Sequence, residues 1–178
     1  MIIIFTGNGK GKTTAALGQA IRAIGQGKRV LIIQFIKAIK SGEHKFFQKF
    51  QMQSASWRTK FQIIRAGKGF VGILGDKLAF SVHKKAAEKA LVLVKKVIES
   101  KKWDLIILDE INVAINLKLI KADDVLKILK NLPNKIDIIL TGRGVPKSFI
   151  KIADLVTEMK EIKHPFNKGK SASKGVEF

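Results

Sequence analysis

Short apolar runs alternate along the chain with stretches of helical period. Met1–Thr6, Arg29–Phe35, Phe61–Arg65, Asp104–Asp109, Ile136–Thr141 and Leu155–Met159 read as strands, rich in Ile, Leu and Val. Phe61–Arg65 is the weakest of them. Thr13–Ile24 reads as a helix with Leu17, Ala20, Ile21 and Ile24 on one face, ended by Gly25 and Gly27. Asp76 is placed to cap a long helix reaching about Ser100. Its buried stripe would be Ala86, Ala87, Ala90, Leu91, Val94, Val97 and Ile98. Asp123 opens another helix, with Val125, Ile128, Leu129 and Leu132 inward and Pro133 stopping it. Pro146–Ala153 is a short helix, and Trp103 leads into the fourth strand as a core side chain.

This alternation predicts an α/β fold, a mostly parallel sheet with helices on both faces. The 178 residues fit a single domain with a full core. Lys160–Phe178 has no clear period, so composition leaves open a disordered tail or a flap over a site.

Composition narrows the class. There are no cysteines, which excludes disulfides, an Fe–S cluster and a thiol nucleophile, and suits a reducing cytosol. The first apolar run is too short for a signal peptide, and none is long enough to span a membrane. A soluble, cytoplasmic protein is expected. The formal charge of +20 is either the field of a polyanion binder or a lysine-rich solvated surface. Lysines are spread along the chain, as at Lys84, Lys85, Lys89, Lys95, Lys96, Lys101 and Lys102, with no compact Arg/aromatic cluster. That distribution favours the solvated surface, and nucleic acid is not the expected partner.

The chemistry begins directly after the first strand. Gly7-Asn8-Gly9-Lys10-Gly11-Lys12-Thr13-Thr14 leads into a helix, the strand–turn–helix context of a P-loop. Glycines let backbone N–H groups turn inward around phosphate oxygens, and the helix amino terminus adds its positive end. Lys12, expected on a solvent-facing loop, offers a cation to the phosphates; Thr13 offers a hydroxyl to Mg²⁺. Thr6 stands where the usual pattern has its first glycine. Asp109 and Glu110 end a buried strand, where the second half of a metal site belongs. Thr141-Gly142-Arg143-Gly144 follows another strand, and Arg143 is suited to a phosphate or to a carboxylate of the fold. These residues alone describe a Mg-nucleotide enzyme.

Several stretches together resemble the ATP:corrinoid adenosyltransferases. They are Thr6–Thr14 with Arg22 one helix later, Gln34-Phe35-Ile36-Lys37, Leu108-Asp109-Glu110-Ile111-Asn112, Thr141–Gly144, and the tail Lys163–Phe166 and Lys174–Phe178. The resemblance runs nearly end to end, is weakest from about Phe46 to Ala66, and includes Thr6. It implies a RecA-type P-loop fold, a homodimer, and transfer of the 5′-deoxyadenosyl group of ATP to Co(I) of a corrinoid with release of triphosphate. A reductant or reductase would supply Co(I). Carried over by position, Asn8, Gly9, Lys10, Gly11, Lys12, Thr13 and Thr14 would hold the triphosphate. Lys12 and Glu110 would carry the catalysis. Thr13 and Glu110, with Asp109 beside them, would hold Mg²⁺, and Asn8 and Arg22 the nucleoside side. Arg143 would join the ligand site, and Phe70 would pack under the corrin ring. The core of the protein is the other place for Phe70. The chain departs from the family pattern at Gly72, where Trp is frequent, and at Val113, where Tyr is frequent.

Co(I) is itself a strong nucleophile, so no side-chain nucleophile or base is required. His44, His83 and His164 read as surface or packing residues, with His164 placed where it could touch a ligand. Two other classes compete. A nucleic-acid-dependent ATPase would need a basic groove with stacking aromatics. A small-molecule kinase would need a positioned carboxylate base, for which Asp109 or Glu110 could serve.

Overall fold

The computed structural model describes residues 1–53, 60–73, 75–165, 169 and 171–176, with only the backbone of 50–53. Trp57, Phe166, Glu177 and Phe178 lie outside them. The elements run β1 (Ile2–Thr6), α1 (Lys12–Gly25), β2 (Val30–Gln34), α2 (Gly42–Gln53), β3 (Phe61–Arg65) and α3 (Phe80–Glu99). They continue as β4 (Leu105–Asp109), α4 (Ile111–Asn116), α5 (Ala122–Lys130), β5 (Asp137–Thr141), α6 (Lys147–Ile150) and β6 (Leu155–Glu158). The six strands form one sheet in the order β3-β2-β4-β5-β1-β6, every pairing parallel.

Alternate side chains of each central strand enter different cores. Leu31, Ile33, Ile106, Leu108, Ile138 and Leu140 pack on one face with Ala87, Ala90, Leu91, Val94 and Ile98 of α3 and Val125 and Leu129 of α5. Val30, Ile32, Leu105, Ile107 and Ile139 pack on the other with Ala16, Ala20, Ala23 and Ile24 of α1 and Phe47 of α2. Phe47 stacks on Phe61 with ring centroids 3.8 Å apart, which ties α2 to the β3 edge. Both faces of β2 and β4 are buried, which is why these strands are continuous apolar runs.

Two local expectations change. Ile21 is exposed, because α1 lays its small residues Ala16, Ala20 and Ala23 against the sheet and turns Ile21 outward. Asp76 does not cap α3, whose amino-terminal flank is Ala79 without a side-chain cap. Asp76 instead accepts from the Gly72 and Leu78 amides and lies 3.0 Å from His83, closing the loop before the helix. Asp123 sits in the first turn of α5, as the pattern predicts. Trp103 is partly buried against the core. No helix among the described residues is long and apolar enough to cross a membrane.

Candidate active site

The parallel register brings the ends of β1, β2, β4 and β5 to one edge, where the sequence placed its chemistry. Gly7 and Gly11 take φ values of 94° and 105°, open to glycine at little cost, and shape the turn between β1 and α1. Thr6 fits in place of a glycine because its hydroxyl donates to the Gly142 carbonyl at 3.0 Å, tying β1 to the end of β5.

Lys12 is not on a solvent-facing loop. It is the first residue of α1, only 7% exposed, and its Nζ donates to the carbonyls of Gly7 at 2.9 Å and Gly9 at 2.6 Å. Burial lowers its pKa, and the nearby Glu110 carboxyl opposes that shift. A phosphate would have to draw this ammonium away from two carbonyls of its own loop.

Asp109 is the hub. Its Oδ1 accepts from the Thr13 hydroxyl at 2.8 Å and the Thr141 hydroxyl at 2.7 Å, and its Oδ2 from the Gln34 amide at 3.0 Å. Glu110 follows in the left-handed region, φ 60°, with its backbone N–H donated to Thr141 Oγ1 at 2.8 Å. A non-glycine residue there is a strained turn that aims the side chain out of the strand direction. Burial, and then the Asp109 charge, push the Glu110 pKa up to about 7, against the pull of Lys12 and Arg143. Gly142 must be glycine: φ is 126°, and a Cβ would stand 3.0 Å from the Val113 nitrogen and 3.2 Å from Glu110 Oε2.

Thr13, Asp109 and Glu110 together are a hard-oxygen donor set, and the charge of the half-buried Glu110 carboxylate would be relieved by a cation. Mg²⁺ takes few protein ligands and keeps waters and phosphates, so two carboxylates and a hydroxyl fit it.

Asn8 and Arg143 line a cleft of about 690 Å³ with Glu158, Lys160 and Glu161. That volume suits a nucleotide-sized ligand. Its far wall is the start of the tail, where the Gly9 amide donates to the Met159 carbonyl at 2.7 Å; farther along the tail the Val176 carbonyl accepts from Lys10 Nζ at 2.6 Å. Gly9 is required by this approach, since a Cβ would meet Lys160 O at 2.7 Å. Arg22 is not brought to the loop. It is exposed in the last turn of α1, ten residues or roughly 15 Å beyond Lys12.

Three comparisons now bear on this geometry. Residues 1–178 match the model of the family described as ATP:corrinoid adenosyltransferase BtuR/CobO/CobP. The chain belongs to that family. It is 38% identical over its whole length to a corrinoid adenosyltransferase of Sinorhizobium sp, covering 80% of it. It is 31% identical, again over its whole length, to one of Escherichia coli K12, covering 85% of it. A KaiC-like protein of Pyrococcus horikoshii shares the fold, with a TM-score of 0.57, 18% identity, and coverage of 91% of this chain and 74% of that one. The architecture is therefore the RecA-type P-loop fold, and the chain is a transferase of the corrinoid adenosyltransferase family.

In this adenosyltransferase Phe70 is no core side chain; it is 57% exposed. It rides on a loop docked to the end of β2, with Gly69 N donating to Ile36 O at 2.8 Å. A Cβ on Gly67 would collide with Ile36 backbone at 2.2 Å, so that glycine sets the docking. Ile73, Leu78 and Phe80 are also exposed along the following segment, an apolar surface without a partner among the described residues. Gly72 has φ 68° in this loop, and Val113 is partly buried against the core.

Of the histidines read as surface or packing residues, His44 is a packing one, but its polar partners were not foreseen. It is 6% exposed and belongs to a buried polar chain with Gln34 and Ser41. The available signal was Ser41-Gly42-Glu43-His44, a capping-box spacing with His in the place of Glu or Gln. His83 is buried beside Asp76, and His164 is partly buried.

Proposed function

We propose that this chain uses the site at the β1, β4 and β5 ends to transfer the 5′-deoxyadenosyl group of Mg·ATP to Co(I) of a corrinoid, releasing triphosphate. The observation that carries the reading is Asp109, bonded to both Thr13 of the phosphate loop and Thr141, with Glu110 turned out beside Lys12.

In the reaction the Co(I) electron pair forms the Co–C5′ bond as the C5′–O bond breaks. The leaving triphosphate keeps the bond pair, and no proton is transferred. The protein's task is to bind the leaving group and align the two centres. Lys12, freed from Gly7 and Gly9, and the loop amides meet the phosphates. Thr13 and Glu110, with Asp109 anchoring the hydroxyl, would hold Mg²⁺, which supplies charge neutralisation of the departing triphosphate. Arg143 reaches the cleft from the β5 side. Asn8 and Arg22 are assigned to the nucleoside side by family position. Phe70 and its exposed apolar neighbours offer the corrin an apolar face, which would exclude water once the corrin covers it.

We further assign to this chain the homodimeric state and the reductant or reductase that the family resemblance implies, and the single-domain organisation and cytoplasmic location expected from its length and composition. The deciding experiment is product analysis with ATP and chemically reduced Co(I) corrinoid. An adenosylated corrinoid and triphosphate are expected. ADP or free phosphate as the product would instead support a kinase or an ATPase. With Co(II) and a mild reductant, Phe70→Ala should lower the rate far more than it does with Co(I). An equal loss in both assays would remove Phe70 from the activation step.

A further inference from the structure

The buried side chains behind Asp109 form a hydrogen-bond chain with one direction. The Ser41 amide donates to His44 Nδ1 at 3.1 Å, so that nitrogen is the acceptor and the ring proton resides on Nε2. Nε2 lies 2.8 Å from Gln34 Oε1 and donates to it. That leaves the Gln34 NH₂ facing Asp109 Oδ2, at 3.0 Å. Ser41, His44, Gln34 and Asp109 are each at most 6% exposed, so no water competes for these atoms. A Gln34 amide turned the other way would set an oxygen against the Asp109 carboxyl and an NH₂ against the His44 N–H. The proton position on His44 therefore decides which end of Gln34 meets Asp109.

We propose that His44 is a positioning residue for the metal–nucleotide site: through Gln34 it locks the Asp109 carboxyl in the orientation that holds the Thr13 hydroxyl. Outer hydrogen-bond partners of this kind fix the geometry of a metal site without touching the metal. His44 gains a second meaning from its place. It sits in the first turn of α2, directly after the β2–α2 loop on which the Phe70 loop is docked through Ile36. The Ala38 carbonyl of the same loop accepts from the Arg65 guanidinium. The relay thus joins the nucleotide side of the site to the segment carrying its apolar side. Burial lowers the His44 pKa, opposed by Glu43, which agrees with the neutral ring that the geometry requires.

The proposal rests on the Mg·ATP reading of the site. The test is calorimetric ATP binding with and without Mg²⁺, on wild type, His44→Phe and His44→Gln. Gln presents an amide near the position of Nε2 and should keep the Mg²⁺-dependent gain in affinity within about twofold. Phe fills the space without a donor and should lose about tenfold of that gain, with metal-free ATP affinity unchanged. If His44→Phe keeps the full gain, or loses ATP affinity equally with and without Mg²⁺, the relay is overturned. If wild type itself shows no Mg²⁺-dependent gain, the Mg·ATP reading falls and the relay with it. Should His44→Phe fail to fold by circular dichroism, His44→Leu removes the same His44–Gln34 bond and leaves Gln34 on Asp109, with the same expected and overturning results.

Discussion

Single side chains at this site are held in costly states. Glu110 has a pKa of about 7 in the fold against 4.5 for a free carboxyl. Between those values the folded chain keeps a proton that the unfolded chain has released. Stability from this group is complete below about pH 4.5, falls as pH rises, and is gone above about pH 7. The shift corresponds to roughly 3 kcal/mol at most. Glu110→Gln should therefore stabilise the nucleotide-free protein by roughly 2 kcal/mol at pH 8 and hardly at all at pH 4.5. Thermal melts at both pH values check this, and an equal effect at both would exclude charge as the cause. In Mg·ATP the same variant should be nearly inactive. Lys12 shows a related economy: its ammonium is satisfied by Gly7 and Gly9 carbonyls until phosphate arrives.

At the level of loops and helices, the glycines of the phosphate loop serve two partners. Gly7 and Gly11 allow the turn, while Gly7 and Gly9 also make room for the chain at and after the end of β6. Gly9→Ala would drive a Cβ into the Met159–Lys160 backbone, which cannot swing aside like a side chain. The expected result is a tail lifted from the loop, faster tryptic cleavage at Lys160 and Lys163, and about 1–2 kcal/mol lost from overpacking. Gly18, exposed in the middle of α1 with nothing within 4 Å of its Cβ position, is the control. Gly18→Ala should stabilise by roughly 0.5–1 kcal/mol and leave the tail protected. Limited proteolysis beside urea melts separates the two outcomes. Equal cleavage of both variants would mean that Met159 does not depend on Gly9.

Over the whole molecule the dominant number is +20. α3 carries Lys84, Lys85, Lys89, Lys95 and Lys96 outward while its apolar stripe faces the sheet, so these charges belong to a solvated helix face. DNA should bind through phosphate contacts alone, with affinity falling by orders of magnitude from about 50 to 200 mM salt. ATP turnover should not respond to DNA at about 150 mM salt, where exposed charges are screened. Fluorescence anisotropy and a turnover assay at several salt concentrations test both statements. A several-fold stimulation would revive the nucleic-acid-dependent ATPase.

Local order along the chain was enough to read the alternating strands and helices and the parallel sheet. A short apolar run such as Leu105–Leu108 is read as a strand buried on both faces from its length and its place in the alternation, and Gly7–Thr14 between a strand and a helix carries its chemistry in its own spacing. Asp109, Glu110 and Arg143 were legible as candidates at or just after strand ends of one sheet edge, and Thr13 from the spacing of the phosphate loop. The contacts among them were not. Gln34 meets Asp109 because β2 pairs with β4 in a register that sets the two residues side by side, although 75 positions separate them. His44, the burial of Lys12, the outward turn of Ile21 and the tail against Gly9 likewise depend on what the folded chain packs beside each residue. Periodicity describes which side of an element is apolar; hydrogen-bond partners across elements are settled by strand register and close backbone approach, neither of which is encoded within any one segment.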